Sequence, residues 1–232
     1  MKSGSRLPAS GPGVQASAFR RGVLWDLDGT LVDSGDYHWR AWRETMRAEG
    51  VEITYEQFLG SFGQKNDRIL TSWLGDRVTP DFIRRVGDAK EARYRHLDVS
   101  EGLASLPGAA EWVDRLHQDG WVQAIASSAP AENVRVMLRV LELGRYFDAI
   151  VSAEDVTAGK PDPQVFLAAA AKLNVEPRAS VVVEDAAAGI EAARRAGMKS
   201  VGVSRTSVLD ADVFVRSLTE LSDGTFARLI AS

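Results

Sequence analysis

A chain of 232 residues with 45% hydrophobic side chains can bury one full core, has room for a smaller inserted domain, and lacks the composition of a disordered protein. A net charge of −4 without a long Lys/Arg run argues against a nucleic-acid footprint, and no apolar run is long enough to span a bilayer. With no cysteine there is neither disulfide nor thiolate chemistry, which fits a cytoplasmic protein working on a small molecule, expected to be a monomer or weak dimer.

In chain order, residues 1–20 mix Gly, Ser, Pro and Ala without a continuous apolar segment, and are expected to form a flexible tail rather than a secretory signal. GVLWDL (22–27) then reads as a strand. Roughly 90 residues separate it from the next strand, far more than one crossover helix needs. DYHWRAWRETMRAEG, TYEQFLGSF, NDRILTSWL and TPDFIRRVGDAKEARYRHL carry helical spacing and predict a small all-helical domain over 36–102, joined by the linkers VDSG (32–35) and SEGLASLPG (100–108). PGAAEWVDRLHQDG has the Pro start and Gly end of a helix. After it, WVQAIAS (121–127), FDAIVS (147–152), SVVVED (180–185) and SVGVS (200–204) read as strands, with PDPQVFLAAAAKLN and AAGIEAARRAGM as crossover helices. Strands apolar on both faces and alternating with helices predict an α/β fold with a parallel sheet, over 21–35 and 103–232.

In an open parallel sheet the carboxyl ends of the strands face one crevice. The expected strand ends bring Asp26 and Asp28, then Ser127 and Ser128, then Lys160 in AGKPDP, then Glu184 and Asp185 to that place. Carboxylates converging there need a counter-charge, for which a divalent cation and one lysine are the natural partners. Asp26 can attack a phosphoryl group, and Asp28, one residue on and on the same side, can pass a proton to the leaving oxygen and then take one from the attacking hydroxyl or water. Ser127, Ser128 and the amides beside them can hold the non-bridging oxygens, Lys160 can offset the charge on Asp26 and the phosphate, and Mg²⁺ would bridge Asp26, Asp185 and the phosphoryl group.

The set DLDGT, strand-end Ser127, GKPDP and VVVEDAAAGIEAARRAGM resembles the haloacid dehalogenase superfamily of phosphohydrolases, in order and in spacing. The resemblance implies a Rossmann-like core with a helical cap inserted after the first strand, Asp26 as nucleophile and Asp28 as acid/base. It also implies Mg²⁺ held by Asp26, Asp185 and the Asp28 main-chain carbonyl. The true dehalogenases of the superfamily lack the second aspartate, which disfavours halide displacement. DSGDYHWRAW resembles the β-phosphoglucomutase subfamily, which implies that His38 positions the acid/base, that Lys65 meets a substrate's distal phosphate, and that Glu184 lies by the metal. Ala186 stands where that subfamily has serine and Lys65 where it has arginine, and lysine lacks the bidentate fork that grips a phosphate. Trp39 and Trp42 are expected to pack the cap. The favoured expectation is a Mg²⁺-dependent phosphatase acting on a small sugar or polyol phosphate, with no nucleic-acid or membrane partner. The alternatives are a phosphomutase using the same aspartyl-phosphate and, less favoured, a non-catalytic binding protein.

Overall fold

The computed structural model describes residues 20–232, the side chains at 76, 98 and 99 excepted, so the tail expected over 1–20 lies, Arg20 apart, outside the described residues. The core is a six-stranded sheet: β1 (Gly22–Trp25), β2 (Val122–Ala126), β3 (Ala149–Val151), β4 (Ser180–Glu184), β5 (Lys199–Val203) and β6 (Val213–Val215). Every neighbouring pair is parallel, and the order is β3-β2-β1-β4-β5-β6. That order reverses between β1 and β4, which puts a crevice at their carboxyl ends.

Successive side chains of β1 feed opposite cores. Val23 and Trp25 join a core under α5 (Ala109–Gln118), α6 (Ala131–Val140) and α9 (Thr225–Ala231), built from residues such as Trp112, Met137 and Phe226. Leu24 joins a second core under α7 (Gln164–Leu173) and α8 (Ala187–Arg195), where Phe166, Ala169 and Ala193 are buried. Covering the sheet on both faces is why its strands are continuously apolar rather than alternating. One buried polar chain crosses this core: Trp25 Nε1 donates to Gln123 Oε1 at 2.9 Å, and Gln123 Nε2 donates to the Val113 carbonyl at 2.8 Å.

Between β1 and α5 lies the helical cap: α1 (Gly35–Ala48), α2 (Tyr55–Ser61), α3 (Asn66–Leu74) and α4 (Pro80–Glu101). Thr54 and Gln57 form a reciprocal capping box at the start of α2, and Thr79, with Pro80 behind it, caps α4. The cap has its own core, in which Trp42, Met46, Phe58, Leu70 and Val86 are buried. Trp39 lies partly buried against this core, and Trp42 meets Trp73 edge-on at 5.1 Å between centroids. Helix α4 continues through Glu101, so the connection expected from residue 100 is helical at its start. The strands and helices expected from the sequence did not include β6, α6 or α9. β6 has three residues, VFV, set between Asp212 and Arg216.

Candidate active site

Strand β1 stops at Trp25, but the Asp26 amide still donates to the Val183 carbonyl at 3.0 Å, so the nucleophile candidate is fixed to β4 by backbone. The chain then turns sharply, with the amides of Thr30, Leu31 and Val32 gathered on the Leu27 carbonyl. Gly29 makes the turn at φ +81°, and a Cβ there would lie 2.1 Å from Asp185 Oδ2. The glycine of DLDGT is therefore required both by a left-handed backbone and by the close approach of a second acidic group.

Around Asp26 the structure brings together Lys160, Glu184 and Asp185. Lys160 Nζ donates to Asp26 Oδ1 at 2.5 Å and to Glu184 Oε2 at 2.6 Å, with its own side chain 6% exposed. Glu184 Oε1 also accepts the Ala186 amide at 3.1 Å. Oxygens of Asp26, Glu184 and Asp185 all lie within 4.8 Å of one another, hard donors of the kind that suit a divalent cation such as Mg²⁺. The carboxylate of Asp28 is outside this cluster. Burial, then the Glu184 charge, push Asp26 up to about 8 against the pull of Lys160. The same two causes raise Asp185 well above the usual carboxylate range. Burial works to lower Lys160, but Asp26 and Glu184 outweigh it and hold the ammonium raised. The upward shifts of Asp26 and Asp185 record the repulsion among three buried carboxylates facing one ammonium, and a divalent cation held there would bring both back toward the ionised form.

Asp28 has different surroundings. Ser34 Oγ donates to its Oδ1 at 2.5 Å, and His38 Nε2 lies 3.0 Å from the same atom. Both contacts fall on Oδ1, and Asp28 lines the cavity. Burial works to raise Asp28, but His38, Ser34 and Lys90 outweigh it and hold the group below its ordinary value. Two carboxylates one residue apart are thus driven in opposite directions; a nucleophile at Asp26 and an acid at Asp28 need the reverse order, which a cation beside Asp26 and a phosphate dianion beside Asp28 would supply.

His38 is itself held from behind by residues that the sequence reading did not single out. Lys90 Nζ lies 2.9 Å from His38 Nδ1 and 2.9 Å from Glu91 Oε1, and Lys90 is only 2% exposed. An ammonium can only donate, so Nδ1 is the acceptor and the ring hydrogen is assigned to Nε2, facing Asp28. Tyr94 stacks on the imidazole at 3.9 Å between centroids. Glu91 closes the chain by accepting from Asn66 Nδ2 at 2.7 Å and, across to the core, from Asn133 Nδ2 at 2.5 Å. A signal for Lys90 existed: it sits four residues after Val86 and four before Tyr94, on the stripe of α4 that both bury.

The remaining expected residues divide. Ser127 and Ser128 follow β2 and line the cavity in front of Asp26; Ser127 Oγ accepts the Ala129 amide at 3.0 Å. Lys65 also lines it, but its ammonium, expected on a distal phosphate, donates to the carbonyls of Ala153 and Val156, both at 2.8 Å.

A strand-end carboxylate paired with lysine, a second carboxylate held by histidine and an inserted cap over both define a capped α/β enzyme. The model for haloacid dehalogenase-like hydrolases matches residues 23–203, and the chain belongs to that family. It is 34% identical over 205 residues to the validoxylamine A 7′-phosphate phosphatase of Streptomyces hygroscopicus subsp. limoneus, covering 86% of this chain and 94% of that one. Hexitol phosphatase B of Escherichia coli K12 is 33% identical over 86% of this chain and 93% of its own. The β-phosphoglucomutase of Bacillus subtilis is 31% identical over 87% and 92%. Among solved structures, the β-phosphoglucomutase of Clostridium difficile superposes with TM-score 0.82 at 27% identity, covering 92% of this chain and 98% of that one.

Proposed function

We propose that this protein is a Mg²⁺-dependent phosphatase of a small sugar or polyol phosphate, working through an aspartyl-phosphate on Asp26. The observation that carries the reading is the opposed setting of Asp26, on Lys160 and beside an acidic pair, and Asp28, on His38. An Asp26 oxygen attacks phosphorus, the ester P–O bond breaks, and Asp28 gives its proton to the departing alkoxide. An incoming phosphate dianion adds negative charge beside Asp28 and favours the protonated form that this step needs. Water then attacks the phosphorus and loses its proton to Asp28. The P–O bond to Asp26 breaks, releasing inorganic phosphate. Lys160 keeps Asp26 oriented, while Ser127, Ser128 and nearby amides hold the non-bridging oxygens. Mg²⁺ would be held by Asp26, Asp185 and the Asp28 carbonyl with Glu184 beside it, and would supply charge neutralisation at the phosphoryl oxygens.

In this reading 21–35 and 103–232 are the catalytic core, 36–102 is the cap, and the enzyme is a cytoplasmic monomer or weak dimer. The identity to a β-phosphoglucomutase favours a second reading, in which a sugar hydroxyl takes the place of water. Phosphorus NMR with Mg²⁺, a panel of hexose, pentose and polyol phosphates and a trace of sugar bisphosphate separates the two. Inorganic phosphate as the main product is the expected result; conversion of a sugar 1-phosphate into its 6-phosphate with little free phosphate would make the protein a mutase.

A further inference from the structure

The cavity between cap and core has a volume of about 310 Å³ and runs outward from Asp26 and Asp28. Among the described residues, the lysines and arginines that line it are Lys65 and Lys90. Both ammoniums are already engaged. Lys90 is buried between His38 and Glu91. Lys65, just before α3 in the cap, reaches over to the core and donates to the carbonyls of Ala153 and Val156, in the turn that follows β3. Its stem runs beside Gly159, where a Cβ would stand 3.5 Å from Lys65 Cγ. The residue after Gly159 is Lys160, so this contact ties the cap to the loop that carries the Asp26 partner.

The cap's contribution to the cavity lining includes Gln64, Asn66, Asp67 and the rings of Trp42, Phe58 and Phe62. Amides serve hydroxyls, and aromatic faces serve the C–H face of a polyhydroxy ring. A second phosphate placed there would stand beside Asp67 and Glu91, and would have to draw Lys65 off its Ala153 and Val156 acceptors to gain a cation, which is costly in a desolvated site. From the Lys65 contacts across the cap boundary and this wall, we infer that Lys65 is a latch holding the cap closed. The site it leaves selects phosphate monoesters of uncharged polyhydroxy alcohols over bisphosphates. The substrate half of this inference rests on the phosphatase reading; the latch does not.

Two measurements test it. The first compares kcat/KM in the Mg²⁺-loaded enzyme for the best monoester of the panel and for the bisphosphate of the same alcohol, in wild type, Lys65→Met and Lys65→Arg. Wild type should favour the monoester by about tenfold or more. Lys65→Met should lower both values by about tenfold with their ratio held within about twofold, and Lys65→Arg should recover part of the loss. Wild-type preference for the bisphosphate, lost selectively in Lys65→Met, would instead make Lys65 a phosphate ligand and overturn the inference. The second measurement is hydrogen exchange of residues 62–66 and 153–159, which needs no turnover. Exchange should rise about tenfold in both segments of Lys65→Met and stay near wild type in Lys65→Arg. Exchange unchanged in Lys65→Met sinks the latch. Should wild type release phosphate from no ester, the phosphatase reading and the substrate preference fall together, and exchange still decides the latch.

Discussion

Asp26 and Asp28 have the same side chain and opposite environments, so their substitutions should fail differently. Asp26→Asn removes the attacking oxygen but keeps an acceptor for Lys160, so turnover should fall by about a thousandfold or more while the melting temperature stays near wild type. Near-normal rates in that variant would end the aspartyl-phosphate mechanism. For Asp28 the informative residue is Lys90, two contacts away. Lys90→Met leaves the Glu91 carboxylate buried beside Asn66 and Asn133 without its cation, a loss of about 3–5 kcal/mol for a broken buried pair. Adding Glu91→Gln removes the stranded charge and should return most of that stability in urea unfolding. The double variant still lacks the donor on His38 Nδ1, so kcat should remain about tenfold low with KM little changed. A double variant with wild-type kcat would show that the Lys90 contact does not set the His38 tautomer.

Among the elements, β4 and α8 illustrate how closely the acidic pair is fitted. Glu184 turns back over the first turn of α8, and a Cβ on Gly189 would fall 2.0 Å from its carboxylate carbon. Gly189→Ala should therefore displace Glu184 and, through it, Lys160, with a loss of about 1–3 kcal/mol from overpacking and at least about tenfold lower activity. Thermal unfolding and phosphate release check it, and an unchanged melting temperature would mean that Glu184 has room elsewhere. Strand-end chemistry of this sort was legible in the sequence because apolar runs stop where polar residues begin, and four neighbouring strands each contribute one such boundary. Lys90 carried only its spacing from Val86 and Tyr94 as a mark, and Glu91 not even that, because a Lys-Glu pair on a charged helix reads as a solvated face until a neighbour is known to cover it. The Lys65 contacts were hidden for a related reason: the acceptors are main-chain carbonyls 88 and 91 residues away, and carbonyls carry no sequence mark. β6, VFV between Asp212 and Arg216, lacks the longer apolar run that marks the equally short β3 within FDAIVS.

At the scale of the whole molecule, cap and core meet through buried apolar residues such as Ala41, Tyr94 and Leu97 and through polar contacts, and the turn at 153–156 is one of the places where they meet. That turn is braced by Asp155, whose Oδ2 accepts from the Ser152 amide at 2.9 Å and from Ser152 Oγ at 2.7 Å, while Lys172 Nζ donates to Oδ1 at 2.8 Å. The Lys172 hydrogen bond, followed by those from Ser152, lowers Asp155 from 3.8 to about 2. Between those values the folded protein binds fewer protons here than the unfolded chain does. The stabilisation is thus fully present above about pH 4 and is lost as pH falls toward 2. Asp155→Asn removes the titrating group, so the difference in urea midpoint between wild type and variant should be largest near pH 5 and close progressively down to about pH 2. Because the braced turn presents the carbonyls that Lys65 grips, exchange in residues 62–66 should also quicken in Asp155→Asn near pH 5, with its excess over wild type shrinking over the same interval. A midpoint difference that stays flat from pH 5 to 2 would show that Asp155 does not carry the acid sensitivity of the turn. A closing midpoint with unchanged exchange at 62–66 would show instead that the brace acts on the core alone and does not reach the cap.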